Sequence, residues 1–246
     1  MLLLADSVGF AGTHSISKTL SSIPGTYVCH GSKNFDSKAQ IGTNDQSTED
    51  FLDSMISIGK THANAIAIHA NFPPSITKSL CMEKGVEYAV IVRDPKHQIN
   101  SCYNWAAKKL FDEGNRDIIE KIHKYSQSTV NFMKPTLANC LYSYAMVHVC
   151  GYNYSAIHAG AKTIKMEDIL GSESTFKSVF GISGEVNLEN FYPDESQIIS
   201  HKKVADGYSF GTPDKEIIHT QLNLNMLNTS TNYQEIRQKL NYSDES

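Results

Sequence analysis

A glycine-containing segment near the start of the chain has the composition of an anion-binding loop. Gly9–Ser15 reads GFAGTHS and separates a short apolar run from an amphipathic segment. Where such a loop joins a strand to a helix, its backbone N–H groups and the helix dipole favour a phosphate or sulfate, and the Thr13 and Ser15 hydroxyls would add donors. A tight structural connection is the alternative. Because the loop has no Gly-Lys-Ser/Thr, it does not indicate a nucleoside triphosphatase.

Arg93 and Ser101 form a second candidate anion site. The run Tyr88–Val92 is typical of a strand buried on both faces of a parallel sheet, and it ends at Arg93. Ser101 follows eight residues later, in a helical pattern that begins after Pro95. A guanidinium fork and a helix-borne hydroxyl can converge on one phosphate. A strand-end arginine in a surface ion pair is the alternative interpretation.

The order strand, Arg93, Asp94, Pro95 and then Ser101 resembles the second fingerprint of the PAPS-dependent sulfotransferases. In that family the arginine and the serine bind the 3'-phosphate of 3'-phosphoadenosine 5'-phosphosulfate (PAPS), and the resemblance implies this role for Arg93 and Ser101. It also implies a P-loop-like sulfotransferase fold, PAPS as sulfuryl donor, 3'-phosphoadenosine 5'-phosphate (PAP) as product, and no metal. Weaker similarities to other motifs of the family, in the same order, extend over nearly the full length of the chain.

The first loop resembles the family's 5'-phosphosulfate loop, with Gly12 and Thr13 at matching positions. Phe10 stands where the family has a lysine, which helps to stabilise charge on the phosphate oxygen that leaves the sulfuryl group. Lys18 and His14 are candidates to replace that lysine. The departure keeps open a second function, that of a noncatalytic sulfotransferase-like protein which binds a nucleotide or a sulfated ligand.

His69 resembles the general base of the cytosolic sulfotransferases, a strand-end histidine followed by prolines, here Pro73 and Pro74. A neutral imidazole would take the proton of the acceptor hydroxyl as the oxygen attacks sulfur. The family commonly has a lysine two residues before this histidine, where this chain has Ala67. A buried, hydrogen-bonded strand-end histidine is the alternative.

Two lysines in an irregular segment complete the site that the resemblance implies. Lys202 and Lys203 lie where family members place a basic, glycine-containing loop over the 3'-phosphate, and a solvated surface pair is the alternative. The predicted nucleotide contacts are Ala11, Gly12, Thr13, His14, Ser15, Arg93, Ser101, Lys202 and Lys203.

These residues need strands and helices that bring them to one place. Hydrophobic patterns predict strands at 2–8, 27–30, 63–69, 88–92 and 162–166. Helices are predicted at 13–22, 48–59, 75–83, 97–112, 116–132, 135–149, 174–180, 214–225 and 232–240. The alternation indicates an α/β fold with a central, mostly parallel sheet flanked by helices, in one domain spanning residues 1–246. PAPS is expected to lie across the strand ends, between the first loop and Arg93.

Composition and charge narrow the class of protein. The chain has 246 residues, of which 40% are hydrophobic and 20% are charged, as in ordinary globular proteins. Its net charge of −4 and dispersed basic residues argue against a broad nucleic-acid interface. The five cysteines have no metal-binding or redox spacing, and no signal peptide or membrane span is indicated. A reduced, cytoplasmic protein is expected.

The sequence therefore predicts transfer of a sulfuryl group from PAPS to a hydroxyl or amine of a small-molecule or glycan acceptor, by in-line displacement. Segments 31–48 and 191–213 are expected to shape the acceptor pocket. Besides the noncatalytic binding protein, a nucleoside phosphate kinase is a further alternative. A kinase would need a lysine in the first loop and Mg²⁺-binding side chains after it, and the Arg93 to Ser101 spacing counts against it.

Overall fold

Five short strands form an all-parallel sheet. The computed structural model describes residues 1–31, 46–111, 120, 137–186, 188 and 233–242. The sheet is built from β1 (Leu2–Asp6), β2 (Thr26–His30), β3 (Asn64–Ile68), β4 (Glu87–Val92) and β5 (Lys162–Lys165). The strands lie in the order β2-β3-β1-β4-β5. All five therefore present their carboxyl ends at the same edge of the sheet.

Eight helices occur within the described residues. Local signals set several of their ends: the Ser47 side chain accepts from the Asp50 N–H at the start of the second, Pro74 begins the third, and Gly85 ends the third with φ 70°. None of these described helices is long and apolar enough to cross a bilayer. The helices are α1 (Thr13–Ser21), α2 (Thr48–Gly59), α3 (Pro74–Lys84), α4 (Pro95–Phe111), α5 (Leu137–His158), α6 (Met166–Gly171), α7 (Glu173–Phe180) and α8 (Tyr233–Lys239).

Both faces of the sheet are covered by apolar side chains from helices. On one face, strand residues such as Leu3 and Ile66 pack with residues of α1, α6 and α7. On the other face, Leu4 and Ala65 pack with residues of α2 and α3. Burial on two faces explains why the central strands β1, β3 and β4 are mostly apolar runs rather than alternating ones, whereas the outer strand β5 contains an exposed lysine. The predicted α/β fold, with a parallel sheet flanked by helices, is confirmed.

The chain forms two compact units. The first comprises residues 1–93 and 155–192 and contains the whole sheet with α1, α2, α3, α6 and α7. The second comprises residues 94–154 and 193–246, and its described part includes α4, most of α5, and α8. Within the second unit the buried Arg237 lies 4.0 Å from the Asp94 carboxylate, and the Asn153 side-chain amide donates to the Gln98 side-chain oxygen. The predicted single domain stays a prediction.

Helix α5 is longer than the sequence pattern predicts. A helix ending at Val149, just before Gly151, was expected, whereas α5 runs to His158. An internal glycine costs a helix only about 1 kcal/mol relative to alanine. Asn153 and Ala156, beyond the glycine, are fully buried, and their packing outweighs that cost. The predicted helix at 214–225 lies outside the described residues, and within the predicted helix at 116–132 only residue 120 is described.

Candidate functional site

The carboxyl ends of β1 and β4 lie side by side, and the chain leaves them in opposite directions. From β1 the chain goes to β2, the outermost strand on one side of the sheet, and from β4 it goes to β5, the outermost strand on the opposite side. In open parallel sheets this divergence leaves a crevice outside the strand ends, where ligands bind. The segments at this crevice are Ser7–Gly12 and Arg93, which include parts of both predicted anion sites.

Three left-handed residues shape the loop after β1. Gly9, Phe10 and Gly12 have φ values of 95°, 61° and 65°. The Gly9 N–H donates to the Ser7 hydroxyl at 3.0 Å, and Arg93 Nη1 donates to the Phe10 carbonyl oxygen at 3.4 Å. The guanidinium therefore lies against the predicted anion loop, beside the residue that occupies the family's lysine position.

The loop leads directly into the N-terminus of α1. Gly12 is the N-cap, no side chain of the described residues caps this end, and the first turn contains no acidic residue. Thr13, the first helical residue, is buried, and Ser15 is half-buried. The first N–H groups of a helix have no partner within the helix, and the dipole makes this end positive. The start of α1 therefore fits an anion such as a phosphate or sulfate group.

His69 lies just beyond β3, is 8% exposed and has φ 58°. Its Nδ1 is 2.8 Å from the carbonyl oxygen of Ser7. Because a carbonyl oxygen can only accept, Nδ1 carries the proton of the neutral ring and Nε2 carries the lone pair. Burial lowers the pKa of His69, although the hydrogen bond to Ser7 opposes this effect. The ring therefore stays neutral at pH 7 and offers Nε2 as a proton acceptor.

Replacing Gly9 with alanine is expected to disturb the His69 ring. The new Cβ would lie 2.8 Å from Cε1 of His69, closer than such atoms approach, and the ring cannot turn away without losing its bond to Ser7. We expect the free energy of unfolding, measured in urea, to fall by about 2 to 4 kcal/mol, the sum of overpacking and left-handed strain.

Gly85→Ala is the matched control for this prediction. Gly85 also has a positive φ, 70°, but no atom of the described residues lies within 4 Å of an added Cβ. This variant should lose only the conformational part, about 1 kcal/mol. Equal losses in the two variants would show that the His69 ring is not held in place.

The buried Asp6 carboxylate fixes the backbone that carries His69. It accepts from the N–H groups of Ser7 at 2.7 Å, Asn71 at 2.6 Å and Phe72 at 3.1 Å. Asn71 shares with His69 a φ of 58°, a conformation that costs about 1 kcal/mol or more in a residue with a side chain. These hydrogen bonds hold the strained segment, and they join the loop after β1 to the loop after β3.

A third histidine, His30 at the end of β2, lies between the anion loop and His69. Its ring stacks on His14 with centroids 4.1 Å apart, and the His69 centroid is 5.3 Å away. Its Nε2 is 3.1 Å from the hydroxyl oxygen of Thr13. Burial, together with the neighbouring His14 and His69, lowers the pKa of His30 to about 3. Covering of one ring face also lowers the pKa of His14, so all three rings are neutral near pH 7.

These depressed pKa values predict a loss of stability in mild acid. More than about one unit above pH 6.5 the rings are neutral in both the folded and the unfolded chain, so they give stability no dependence on pH there. As the pH falls from about 6.5 towards 3, His30 is protonated in the unfolded chain but not in the folded chain, so the free energy of unfolding decreases. His30→Phe should flatten the curve of unfolding free energy against pH by up to about 1.4 kcal/mol per pH unit. Parallel curves for wild type and variant would contradict this.

The structure brings part of the predicted site together within the first unit. The loop Ala11–Ser15, Arg93 and His69 lie around the ends of β1, β3 and β4. Ser101 lies half-buried on α4. Lys202 and Lys203 are outside the described residues, as are 191–213 and most of 31–48. Within the described ranges, no group of three or more His, Cys, Asp or Glu residues could hold a metal ion.

His30 was not among the residues predicted from the sequence. The signal was present, because two predicted strands end in histidine, at positions 30 and 69. The register pairs His30 with Ile68, the residue before His69, so adjacent parallel strands place the two rings together. Finding the pair requires the order of the strands in the sheet, which follows from the fold and not from the local pattern.

Comparison with known proteins establishes neither a family nor a function for this chain. No family model matches the sequence, and no curated protein matches it. Among solved structures, the chain is similar to mouse sulfotransferase SULT7A1 complexed with PAP, with 13% sequence identity and a TM-score of 0.42. That similarity covers 98% of this chain and 85% of the mouse protein. Similarity at this level does not determine function.

Proposed function

We propose that this protein is a PAPS-dependent sulfotransferase that transfers a sulfuryl group to a hydroxyl or amine of a small-molecule or glycan acceptor. The observation that carries the proposal is the orientation of His69. Its Nδ1–H is engaged by Ser7, and its Nε2 lone pair belongs to a ring that stays neutral beside the loop leading to α1. A neutral base and an anion site at one edge of a sheet are what in-line group transfer requires.

The start of α1 and Arg93 support the donor side. The first N–H groups of α1 and the Thr13 hydroxyl would hold the 5'-phosphosulfate, while Arg93 and Ser101 would bind the 3'-phosphate, as the fingerprint implies. When bound, PAPS supplies a sulfuryl group attached to a phosphate leaving group. Donors fixed by the fold favour the charge that develops on that phosphate oxygen.

On the acceptor side, His69 would take the proton of the attacking hydroxyl at Nε2. The ring is then an imidazolium whose Nδ1–H still donates to the Ser7 carbonyl oxygen, so the hydrogen bond that orients the base also stabilises its protonated form. The Asp6 carboxylate keeps the backbone around His69 in place during this step.

If the Arg93 guanidinium serves the 5' side of the nucleotide instead of the 3'-phosphate, it is the better candidate for the charge that the family takes from its lysine. Phe10 is apolar, Lys18 is exposed on α1, and a lowered pKa keeps His14 neutral near pH 7. The Arg93 guanidinium, by contrast, donates to the carbonyl oxygen of Phe10 itself. The structure therefore favours Arg93 over the two replacements suggested by the sequence.

Two measurements test the function. Thermal-shift titration with PAP, ATP and GTP, each with and without Mg²⁺, separates nucleotide classes, and we expect stabilisation by PAP without a requirement for Mg²⁺. Mass spectrometry of PAPS incubated with pooled alcohols, phenols, amines and sugars then detects sulfated products. Binding of PAP with no product from any pool would favour the noncatalytic binding protein, for which Phe10 in the lysine position is the specific observation. Selectivity for ATP with Mg²⁺ would favour the kinase.

A further inference from the structure

His30 lies beside both the proposed anion loop and the proposed base. It extends from the end of β2, and its Nε2 lies 3.1 Å from the Thr13 hydroxyl oxygen. Its ring lies flat against His14 and 5.3 Å from the His69 ring. No sequence pattern assigned His30 a role, and its hydrogen bond is made to a residue of the loop rather than to the chain around it.

The hydrogen bond between His30 and Thr13 has two possible directions. A neutral imidazole has one N–H and one lone pair, whereas a hydroxyl can donate once and accept twice. If Thr13 donates to Nε2, its proton is used within the pair. If Nε2–H donates instead, the hydroxyl proton of Thr13 remains available for an anion at the start of α1. The second direction makes Thr13 a better donor, because its oxygen is polarised by the bond that it accepts.

We infer that His30 is a positioning residue that sets the Thr13 hydroxyl as a donor to the bound phosphosulfate. This inference rests on the proposed function, since it presumes an anion at the start of α1. It differs from the replacement of the missing lysine, because a neutral ring contributes no charge to the loop. His30 acts on the ligand only through Thr13.

Burial makes the choice of direction matter. Thr13 is 4% exposed, so water cannot readily supply a partner for its hydroxyl when a ligand covers it. The His30 ring stacks on His14, with centroids 4.1 Å apart, and the His69 ring is 5.3 Å away, so neighbouring rings restrict its rotation. The geometry thus holds Nε2 towards Thr13 before any ligand arrives.

A double-mutant cycle tests the inference, with the Kd for PAP measured by calorimetry at pH 7.5. His30→Phe keeps a ring for stacking but removes the donor, and it should weaken PAP binding by about 3- to 10-fold, the effect of one hydrogen bond. Thr13→Val should cost at least as much. The double variant should bind no more weakly than Thr13→Val alone, because His30 acts through Thr13. His30→Gln, which can donate from its amide, should recover binding to within about 3-fold of wild type.

The inference would be overturned if the loss of PAP affinity in the double variant equalled the product of the losses in the two single variants. It would also be overturned if His30→Phe bound PAP as tightly as wild type. The wild-type protein gives a second readout, because ¹⁵N NMR of the PAP-bound state should show the proton of His30 on Nε2, and a proton on Nδ1 would also overturn it. If wild type does not bind PAP, the proposed function fails, and the same cycle is run with inorganic pyrophosphate. If the effects of the His30 and Thr13 variants on pyrophosphate binding are coupled, His30 positions Thr13 in an anion site that serves another function. If they are independent, or if pyrophosphate does not bind, the role of His30 is rejected.

Discussion

Replacing His69 with alanine is expected to lower turnover of PAPS with a hydroxyl acceptor by about 10² to 10⁴, the range that general-base help contributes. The affinity for PAP should barely change, because the loss is confined to the transition state. Steady-state rates together with calorimetric Kd values separate the two effects. Because burial lowers the pKa of His69, its base form persists below pH 6.5, so the wild-type rate should fall at a pH lower than that of an ordinary imidazole.

His62 provides the matched control for this variant. It precedes β3, at the amino end of the sheet, whereas His69 follows β3 at the carboxyl end. His62→Ala should therefore leave turnover unchanged. Near-wild-type turnover by His69→Ala would remove His69 from the mechanism, and the base would have to be sought in His14 or in a carboxylate.

Arg93→Ala is expected to weaken PAP binding by about 1.5 to 3 kcal/mol, the scale of a hydrogen bond to a charged group. The variant loses both the charge and the bond from Nη1 to the Phe10 carbonyl oxygen. Arg93→Lys keeps the charge without the planar fork, so it should fall between wild type and the alanine variant. Unchanged PAP affinity in Arg93→Ala would show that the nucleotide site lies elsewhere.

Adenosine 5'-phosphosulfate shows which phosphate Arg93 serves, because it lacks the 3'-phosphate. If Arg93 binds that group, as the fingerprint implies, the alanine variant should bind adenosine 5'-phosphosulfate as wild type does. Equal losses for both ligands, at an unchanged melting temperature, would instead place the guanidinium on the 5' side of the nucleotide, beside Phe10. Equal losses with a lowered melting temperature would indicate that the loop itself had been damaged.

Much of the fold follows from local pattern. Apolar runs and their stop signals predict all five strands to within about two residues, since the central strands β1, β3 and β4 are largely buried on both faces and contain few polar residues. The predicted end of α5, at Val149, was wrong. The glycine at position 151 weakens the helix only slightly, and the burial of Asn153 and Ala156 after that glycine is a tertiary effect. Local sequence carries no measure of that burial.

The candidate site was less predictable than the fold. Loop composition, the Arg93 motif and the strand-end His69 could be read from the sequence, yet their hydrogen-bond partners could not. Asp6 appears in the sequence as a polar residue ending an apolar run, and its role depends on Asn71 and Phe72, more than 60 residues away. Likewise an added Cβ at Gly12 would lie 2.9 Å from Met166 Sδ. The close packing of α6 therefore also favours glycine at position 12, and this packing cannot be predicted from the loop sequence.

The hydrogen bonds from Asn71 and Phe72 to the Asp6 carboxylate determine when the site can form as the chain is synthesised. During synthesis the carboxylate emerges from the ribosome 65 residues ahead of Asn71, the first of its distant backbone donors. Until β3 has been made and has paired beside β1, the loop that precedes α1 lacks the contacts that join it to His69. Contacts so far apart in sequence form late, after the entropy of closing a long loop has been overcome. A nascent chain that ends before β3 can therefore form its first helix but not its binding site.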